Sequence, residues 1–223
     1  MAARPSWKGF IKLSLVSVPV KAFTASESGA QIRLNQLHKD CNQRVRYKKV
    51  CPEHGELSQD QICSGYEYAK DGYVVIEPEE IAKVRRQSDK QISIEGFVAP
   101  DAIDPSHFAG RTYFLMPDGV AGERPYLLLE QGMAEGRVNA LARIVMSRRE
   151  QLVLIRPENG LLTMSVVAYE ASMKSSEGFR DQLEEIETTD EELALTRTLI
   201  DASTIKEFDL ATYRDPYVDE LKQ

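Results

Sequence analysis

The chain has 223 residues, of which 42% are hydrophobic and 28% are charged, with 28 lysines and arginines against 35 aspartates and glutamates. This composition is typical of a globular protein, and no apolar run approaches the roughly 20 residues that a membrane-spanning helix needs. The net charge of −7 argues weakly against a nucleic-acid partner, but residues 177–223 hold 14 acidic and only 5 basic residues, so the preceding part of the chain has a small positive excess.

The first part of the chain has the pattern of β-structure. Apolar residues alternate with other residues from Ile11 to Val20, which predicts a half-buried strand. Pro19 within this run indicates an edge strand or a bulge, because proline cannot donate to a ladder. Residues 30–35 are a second, shorter candidate strand.

Turn signals divide the middle of the chain into short elements. Residues 65–76 predict a hairpin around Asp71-Gly72, and Pro78 is placed to begin a short helix. A helix is predicted at residues 125–134, ending near Gly136. The other predicted strands are residues 91–98, 113–115, 138–144, 152–155 and 161–167, the last two joined by a turn at 157–160. Several short strands with regular turns predict a barrel or a sandwich.

The acidic C-terminal part reads as helical. Thr189 and Glu192 form a capping-box signature, and Asp215-Pro216 gives an N-cap followed by a first-position proline. Apolar positions are too sparse there for an independent bundle, so we expect these helices to pack on the β-domain or on a partner. The predicted domains are residues 1–175 and an acidic helical arm, 176–223.

One polar segment, residues 36–64, has the spacing of a metal site. His38 and Cys41 form one pair separated by two residues, and Cys51 and His54 form another after a hairpin-length link. Two such knuckles can close a tetrahedron around a structural Zn²⁺, and the metal would order a segment too polar to build a core. Cys63 is an alternative to His38 as the fourth ligand. The other interpretation is that these are ordinary thiols and imidazoles on a basic arm.

Basic residues suggest a polyanionic partner. Within residues 31–50 they surround the knuckles, and on an extended arm Arg44, Arg46 and Lys48 would share one side. With no recognition helix, such a surface would contact phosphates and leave base identity unread. The candidate DNA-binding residues are Arg33, Arg44, Arg46, Lys48, Lys49, Arg143, Arg148 and Arg149.

Evidence for an enzyme is weak. The chain has no phosphate-binding loop, nucleophile elbow, zinc-protease or zinc-deaminase motif. Asp101, Asp104 and His107 could form an acid–base cluster, although Asp104-Pro105 is more simply a turn. The alternatives to DNA binding are therefore a zinc-knuckle scaffold for another protein and, less favoured, a zinc-dependent hydrolase or deaminase.

Six segments of the chain resemble the bacterial Ku proteins, which bind DNA ends in non-homologous end joining. The resemblance is collinear and extends from near the start to about residue 213. The matching segments are WKGFIKLSLVSVPVKAF (7–23), LHKDCNQRVRYKKVCPEHGE (37–56), GYEY (65–68), AIDPSHF (102–108), TYFLMPD (112–118) and GRVNALARIVMSRREQLVLIRPENGLLTM (136–164).

The resemblance implies a mainly β fold with helices: a Ku-core β-barrel, a zinc-ribbon-like bridge arm at residues 36–64 and a helical C-terminal arm that packs across a homodimer. It also implies a ring that threads onto double-stranded DNA ends, excludes nucleases and recruits an ATP-dependent DNA ligase, without catalysis of its own. Family members usually carry the ligase-binding segment beyond the position of Gln223. Three cysteines, too few for a disulfide framework, together with the absence of a signal peptide, predict a cytoplasmic protein and no membrane partner. The resemblance further implies a location at the bacterial nucleoid.

Overall fold

The strands form one closed barrel and two separate two-stranded ladders. The computed structural model describes residues 4–26, 34–84, 90–108, 110–180, 183 and 188–221. They divide into a unit that ends at Met173 and a unit that begins at Lys174. The strands are β1 (Trp7–Leu13), β2 (Val16–Thr24), β3 (Val50–Cys51), β4 (Gly55–Glu56), β5 (Ser64–Ala69), β6 (Gly72–Ile76), β7 (Gln91–Val98), β8 (Thr112–Pro117), β9 (Asn139–Met146), β10 (Arg149–Glu158) and β11 (Leu161–Val167). The helices are α1 (Pro78–Val84), α2 (Val120–Gly136), α3 (Glu177–Arg180), α4 (Asp190–Ser203) and α5 (Pro216–Leu221). None of these described helices is long and apolar enough to cross a membrane.

The barrel strands follow the order β1-β2-β8-β11-β10-β9-β7. Neighbouring strands are antiparallel except β1 and β7, whose parallel pairing closes the barrel by placing Ile11 beside Ile92. Alternate residues of each strand point inward, so β-branched and aliphatic side chains fill the interior. The fully buried ones include Ile11, Val20, Ile92, Leu115, Ile155, Leu162 and Met164. The predicted mainly β barrel is confirmed.

Helix α2 packs on the barrel and contributes to its core. Tyr126 and Met133, each 2% exposed, belong to the same buried cluster as the inward strand residues. The Tyr126 hydroxyl donates to the carbonyl of Leu115 at 2.6 Å and accepts from the amide of Leu162 at 2.7 Å. Since Leu115 and Leu162 are register partners in β8 and β11, this one hydroxyl fastens the helix to both strands.

Two predictions about the first strands were wrong. The run from Ile11 to Val20 is a hairpin, because the chain reverses at Ser14 and Leu15 between β1 and β2. Pro19 lies opposite Phe10 in a regular register, with no bulge, in a strand that pairs on both sides. Of the candidate strand at 30–35, residues 30–33 lie outside the described residues and the other two are not in a strand.

The middle elements follow the turn chemistry. The hairpins around Asp71-Gly72 and Asn159-Gly160 and the helix beginning at Pro78 are confirmed. A register shift between Ile94 and Gly96 explains the imperfect alternation in β7. Helix α2 begins at Val120, five residues before the predicted start, and contains Pro125. Its N-cap is Gly119, which offers no side-chain cap, so the sequence carries no start signal there.

The second unit contains the predicted capped helices. Thr189 and Glu192 close a capping box at the start of α4, and their hydrogen bonds lower the pKa of the Glu192 carboxyl. The Asp215 side chain accepts from the amide of Tyr217 at the start of α5. No side chain of α4 or α5 is buried in this structure.

Candidate nucleic-acid interface

The bridge segment, residues 36–64, is held together by its backbone with no core of its own. None of its side chains is buried. Hydrogen bonds from His38 to Gln43, from Asn42 to His38 and from Val45 to Gln36 form a first tight turn, in which Asn42 has a positive φ of 54°. This agrees with the sequence-based view that the segment cannot be stabilised by apolar burial.

A second tight turn joins β3 and β4. Cys51 pairs with Gly55, whose φ of 75° is the left-handed conformation that glycine adopts without strain. Each turn brings one predicted ligand pair together. His38 Nδ1 lies 3.2 Å from Cys41 Sγ, and His54 Nδ1 lies 3.5 Å from Cys51 Sγ.

Each pair fits half of a zinc site, but the structure does not assemble the whole site. Ligands bound to one tetrahedral zinc at about 2.0–2.3 Å are separated by roughly 3.5 Å, which is close to the separation within each pair. Among the residues that the structure describes, no group of three or more His, Cys, Asp or Glu side chains has a metal-binding arrangement. Cys63, the alternative ligand, is an exposed free thiol immediately before β5.

The cations of the bridge segment fall into two classes. Lys48 Nζ is 2.7 Å from a carboxylate oxygen of Glu56, and Lys49 Nζ donates to the side-chain oxygen of Gln59 at 2.8 Å. Within the described residues, the exposed guanidinium groups of Arg44 and Arg46 have no such partner. Lys39 is likewise exposed and has no ion pair or side-chain hydrogen bond within the described residues. Arg44, Arg46 and Lys39 can therefore contact an external anion without first breaking an internal ion pair or hydrogen bond.

The predicted barrel arginines also differ in availability. Arg143 is held by Glu95 at 2.6 Å and by Glu150 at 3.1 Å. The hydrogen bond to Glu150, reinforced by the charge of Glu95, raises the pKa of Arg143. Arg148 is exposed in the turn between β9 and β10, and Arg149 is exposed at the start of β10. Arg33 lies outside the described residues.

A further basic row lies on the outward face of β1 and was missed in the sequence. Lys8 and Lys12 flank Phe10, which is 45% exposed, and Lys8 stands opposite Lys21 in β2. Lys21 forms an ion pair with Asp118 at 2.5 Å, and that hydrogen bond lowers the pKa of the Asp118 carboxyl. The period of two in this strand could have located the row, but treating the hairpin as one strand hid its register.

Two residues of the possible acid–base cluster have other hydrogen-bond partners. Asp104 caps its own helical turn by accepting from the amide of Ser106 at 2.8 Å, which is the turn role that the sequence favoured. The hydrogen bond from Ser106 lowers the pKa of the Asp104 carboxyl. The His107 Nε2 atom lies 2.9 Å from a carboxylate oxygen of Glu170, so this imidazole is tied to the segment that follows β11.

Comparison with known proteins gives one consistent result. A family model described as the Ku70/Ku80 beta-barrel domain matches residues 12–195. A protein of Heliobacterium modesticaldum named "Non-homologous end joining protein Ku" is 36% identical over 205 residues, which cover 92% of this chain and 73% of that protein. Proteins of the same name from Acidobacterium capsulatum and Archaeoglobus fulgidus are 32% and 33% identical over 99% of this chain, and the matches cover 73% and 86% of the two proteins.

Proposed function

Since this chain belongs to the Ku β-barrel family, we propose that it binds double-stranded DNA ends in non-homologous end joining. The binding would not depend on the DNA sequence. The binding unit would be a homodimeric ring in the bacterial nucleoid, and it would hold the ends and recruit an ATP-dependent DNA ligase. The role is one of binding, with no reaction catalysed by this chain.

One observation carries the DNA-binding part of this proposal. The bridge segment presents Arg44 and Arg46 between its two backbone turns, and both side chains are exposed and without internal partners among the described residues. Arginines placed in this way can pair with phosphates, and the release of counterions then supplies most of the affinity. Phosphate contacts carry no sequence information, so the binding would be the same on any duplex.

Exposed apolar side chains support a dimer. In the β5–β6 hairpin, Tyr66, Tyr73 and Val75 are each more than half exposed, although a two-stranded hairpin is marginally stable alone. In the second unit, Leu195 and Leu199 of α4 are 63% and 61% exposed. Surfaces of this kind mark protein–protein contacts, and a second copy of the chain would cover them.

Threading onto DNA ends is tested by comparing the affinity for a linear duplex with the affinity for a covalently closed circle, which has no ends. We expect tight binding to a linear duplex and at least a tenfold weaker association with a covalently closed circle of the same sequence, because a closed ring can load only over an end. Electrophoretic mobility shift at one salt concentration measures both. As a matched control, cutting the circle once should restore the binding.

Equal affinity for the circle and its linear form would contradict threading, whatever the affinity. A chain that sedimented as a monomer with and without DNA would contradict the ring independently. Loss of all DNA binding would contradict the family-based function itself, so the three failures can be told apart.

We also propose that Zn²⁺ draws the two turns of the bridge segment together through His38, Cys41, Cys51 and His54. The support is the chemistry of the donor set and the separation within each pair. The metal would be structural, because four protein ligands leave no position for water.

Metal analysis tests this site. Protein purified without chelator is expected to carry about one zinc per chain, and Cys41→Ser and Cys51→Ser should each lose most of it, since thiolates are the strongest zinc ligands here. Cys63→Ser is the matched control and should keep the metal. If Cys63→Ser lost zinc while His38→Ala retained it, Cys63 would be the fourth ligand; a metal-free wild-type protein would contradict the site altogether.

A further inference from the structure

Two cavities lie beside helix α2. The first part has a volume of about 420 Å³, and the second part, about 520 Å³. Both parts are lined by Met133 and Val138, so they are adjacent, and we call the two together the α2 groove. Cavities of this size accommodate several side chains of a ligand or a peptide.

The first part of the α2 groove is apolar and open. Leu128 on α2 is 63% exposed, Val16 at the start of β2 is 51% exposed and Phe97 in β7 is 43% exposed. Isolated apolar side chains on a surface are ordinary, but these three line the same cavity. A partner with apolar side chains would remove this surface from water.

The second part of the α2 groove is lined by two arginines. The Arg156 guanidinium lies 5.3 Å from the centre of the Phe108 ring, and its Nη2 donates to Ser165 Oγ at 3.3 Å. These contacts hold the group in place, while its buried Nε has no acceptor among the residues described. Arg137, in the left-handed conformation at the end of α2, lines the same part, as does Glu158.

A guanidinium is suited to a carboxylate, which accepts from arginine through two oxygens. Two arginines and one glutamate give this part of the groove a net charge of +1. A single carboxylate balances that charge, whereas the first turn of α4, with Asp190, Glu191 and Glu192, brings three. Charge complementarity therefore favours a segment with one acidic residue over the acidic helix of a second copy.

We propose that the α2 groove binds a short amphipathic segment of another protein, which places apolar side chains against Leu128 and Phe97 and one Asp or Glu against Arg137 and Arg156. An amphipathic helix laid in an apolar groove is a common mode of peptide recognition. This surface would give the barrel a protein partner that is independent of the DNA contacts.

Selection from a displayed library of short random peptides, with the full chain as bait, tests the proposal. The enriched peptides are expected to share spaced apolar residues and a single acidic residue. One of them, made with a fluorescent label, should bind the wild-type chain and lose at least tenfold in affinity to Leu128→Lys and to Arg137→Glu.

Leu127→Lys is the matched control. Leu127 is 48% exposed on the same helix but does not line the groove, so this variant should bind the peptide within about twofold of wild type. A library without such a consensus, or equal losses in Leu127→Lys and Leu128→Lys, would overturn the proposal. So would a result in which the peptide of residues 189–204 alone bound with the same dependence, because the occupant would then be a second copy. DNA binding should be unchanged in all three variants.

Discussion

Replacing Arg44 and Arg46 together by alanine is expected to weaken duplex DNA binding by about 10- to 100-fold at roughly 0.1 M salt. Both side chains are exposed and have no internal partner within the described residues, so each can contribute a full phosphate contact. Each arginine–phosphate pair that is removed should also reduce the slope of log affinity against log salt by about 0.9, so the double variant should reduce it by about 1.8 per chain that contacts the DNA. Fluorescence anisotropy over a series of salt concentrations measures both quantities, and the weakening should be the same for duplexes of different sequence.

The matched control is the double variant Lys48→Ala and Lys49→Ala. It removes the same charge from the same segment, but these ammonium groups already pair with Glu56 and Gln59. Because a paired cation must give up its partner before it contacts a phosphate, the decrease in affinity should be several-fold smaller. Equal decreases in the two double variants would show that net charge alone matters. Unchanged affinity of the arginine variant at low salt would remove the bridge segment from the DNA contact.

Local chemistry made part of the fold predictable from the sequence. Asp71 in one turn and Asn159 and Gly160 in the other have positive φ angles, which Asp, Asn and Gly adopt more easily than most residues, so both hairpins could be placed. The capping box at Thr189 is equally local. By contrast, Ser14-Leu15 carries no such signal although Ser14 has a φ of 53°, so the pattern of the first hairpin resembles that of one strand.

In the candidate site, too, features set by neighbouring residues could be predicted, whereas features set by long-range pairing could not. Two-residue spacing was enough to predict that His38 meets Cys41 and that Cys51 meets His54. Which cations already have an internal partner could not be predicted, because that depends on the register between paired strands. Arg143 meets Glu95 only because β7 and β9 are neighbouring, hydrogen-bonded strands of the barrel.

Long-range pairing also explains why the role of Tyr126 was not predicted. An aromatic residue in a predicted helix indicates burial, but nothing in its neighbourhood shows that its hydroxyl reaches two strands. Leu115 lies before it in the chain and Leu162 well after it, and only the pairing of β8 with β11 brings them together.

Replacing Tyr126 by phenylalanine is expected to lower the free energy of unfolding by about 2–4 kcal/mol, because the buried carbonyl of Leu115 and the buried amide of Leu162 would both be left without this partner. Urea denaturation followed by circular dichroism measures the change. Tyr113→Phe is the matched control: Tyr113 is 6% exposed and its hydroxyl has no hydrogen-bond partner in the described part of the chain. This variant should differ from wild type by less than about 0.5 kcal/mol.

The Tyr126 hydroxyl should also affect how the free energy of unfolding depends on pH. Burial raises the pKa of Tyr126 above its ordinary value of about 10. The unfolded chain therefore ionises this group first, and its contribution to stability is complete below about pH 10 and is lost as the pH rises further. Tyr126→Phe should lack this part of the alkaline loss, while Tyr113→Phe should keep it. If Tyr126→Phe unfolded at the wild-type urea concentration and with the wild-type alkaline profile, the hydroxyl would not be what fastens α2 to the barrel.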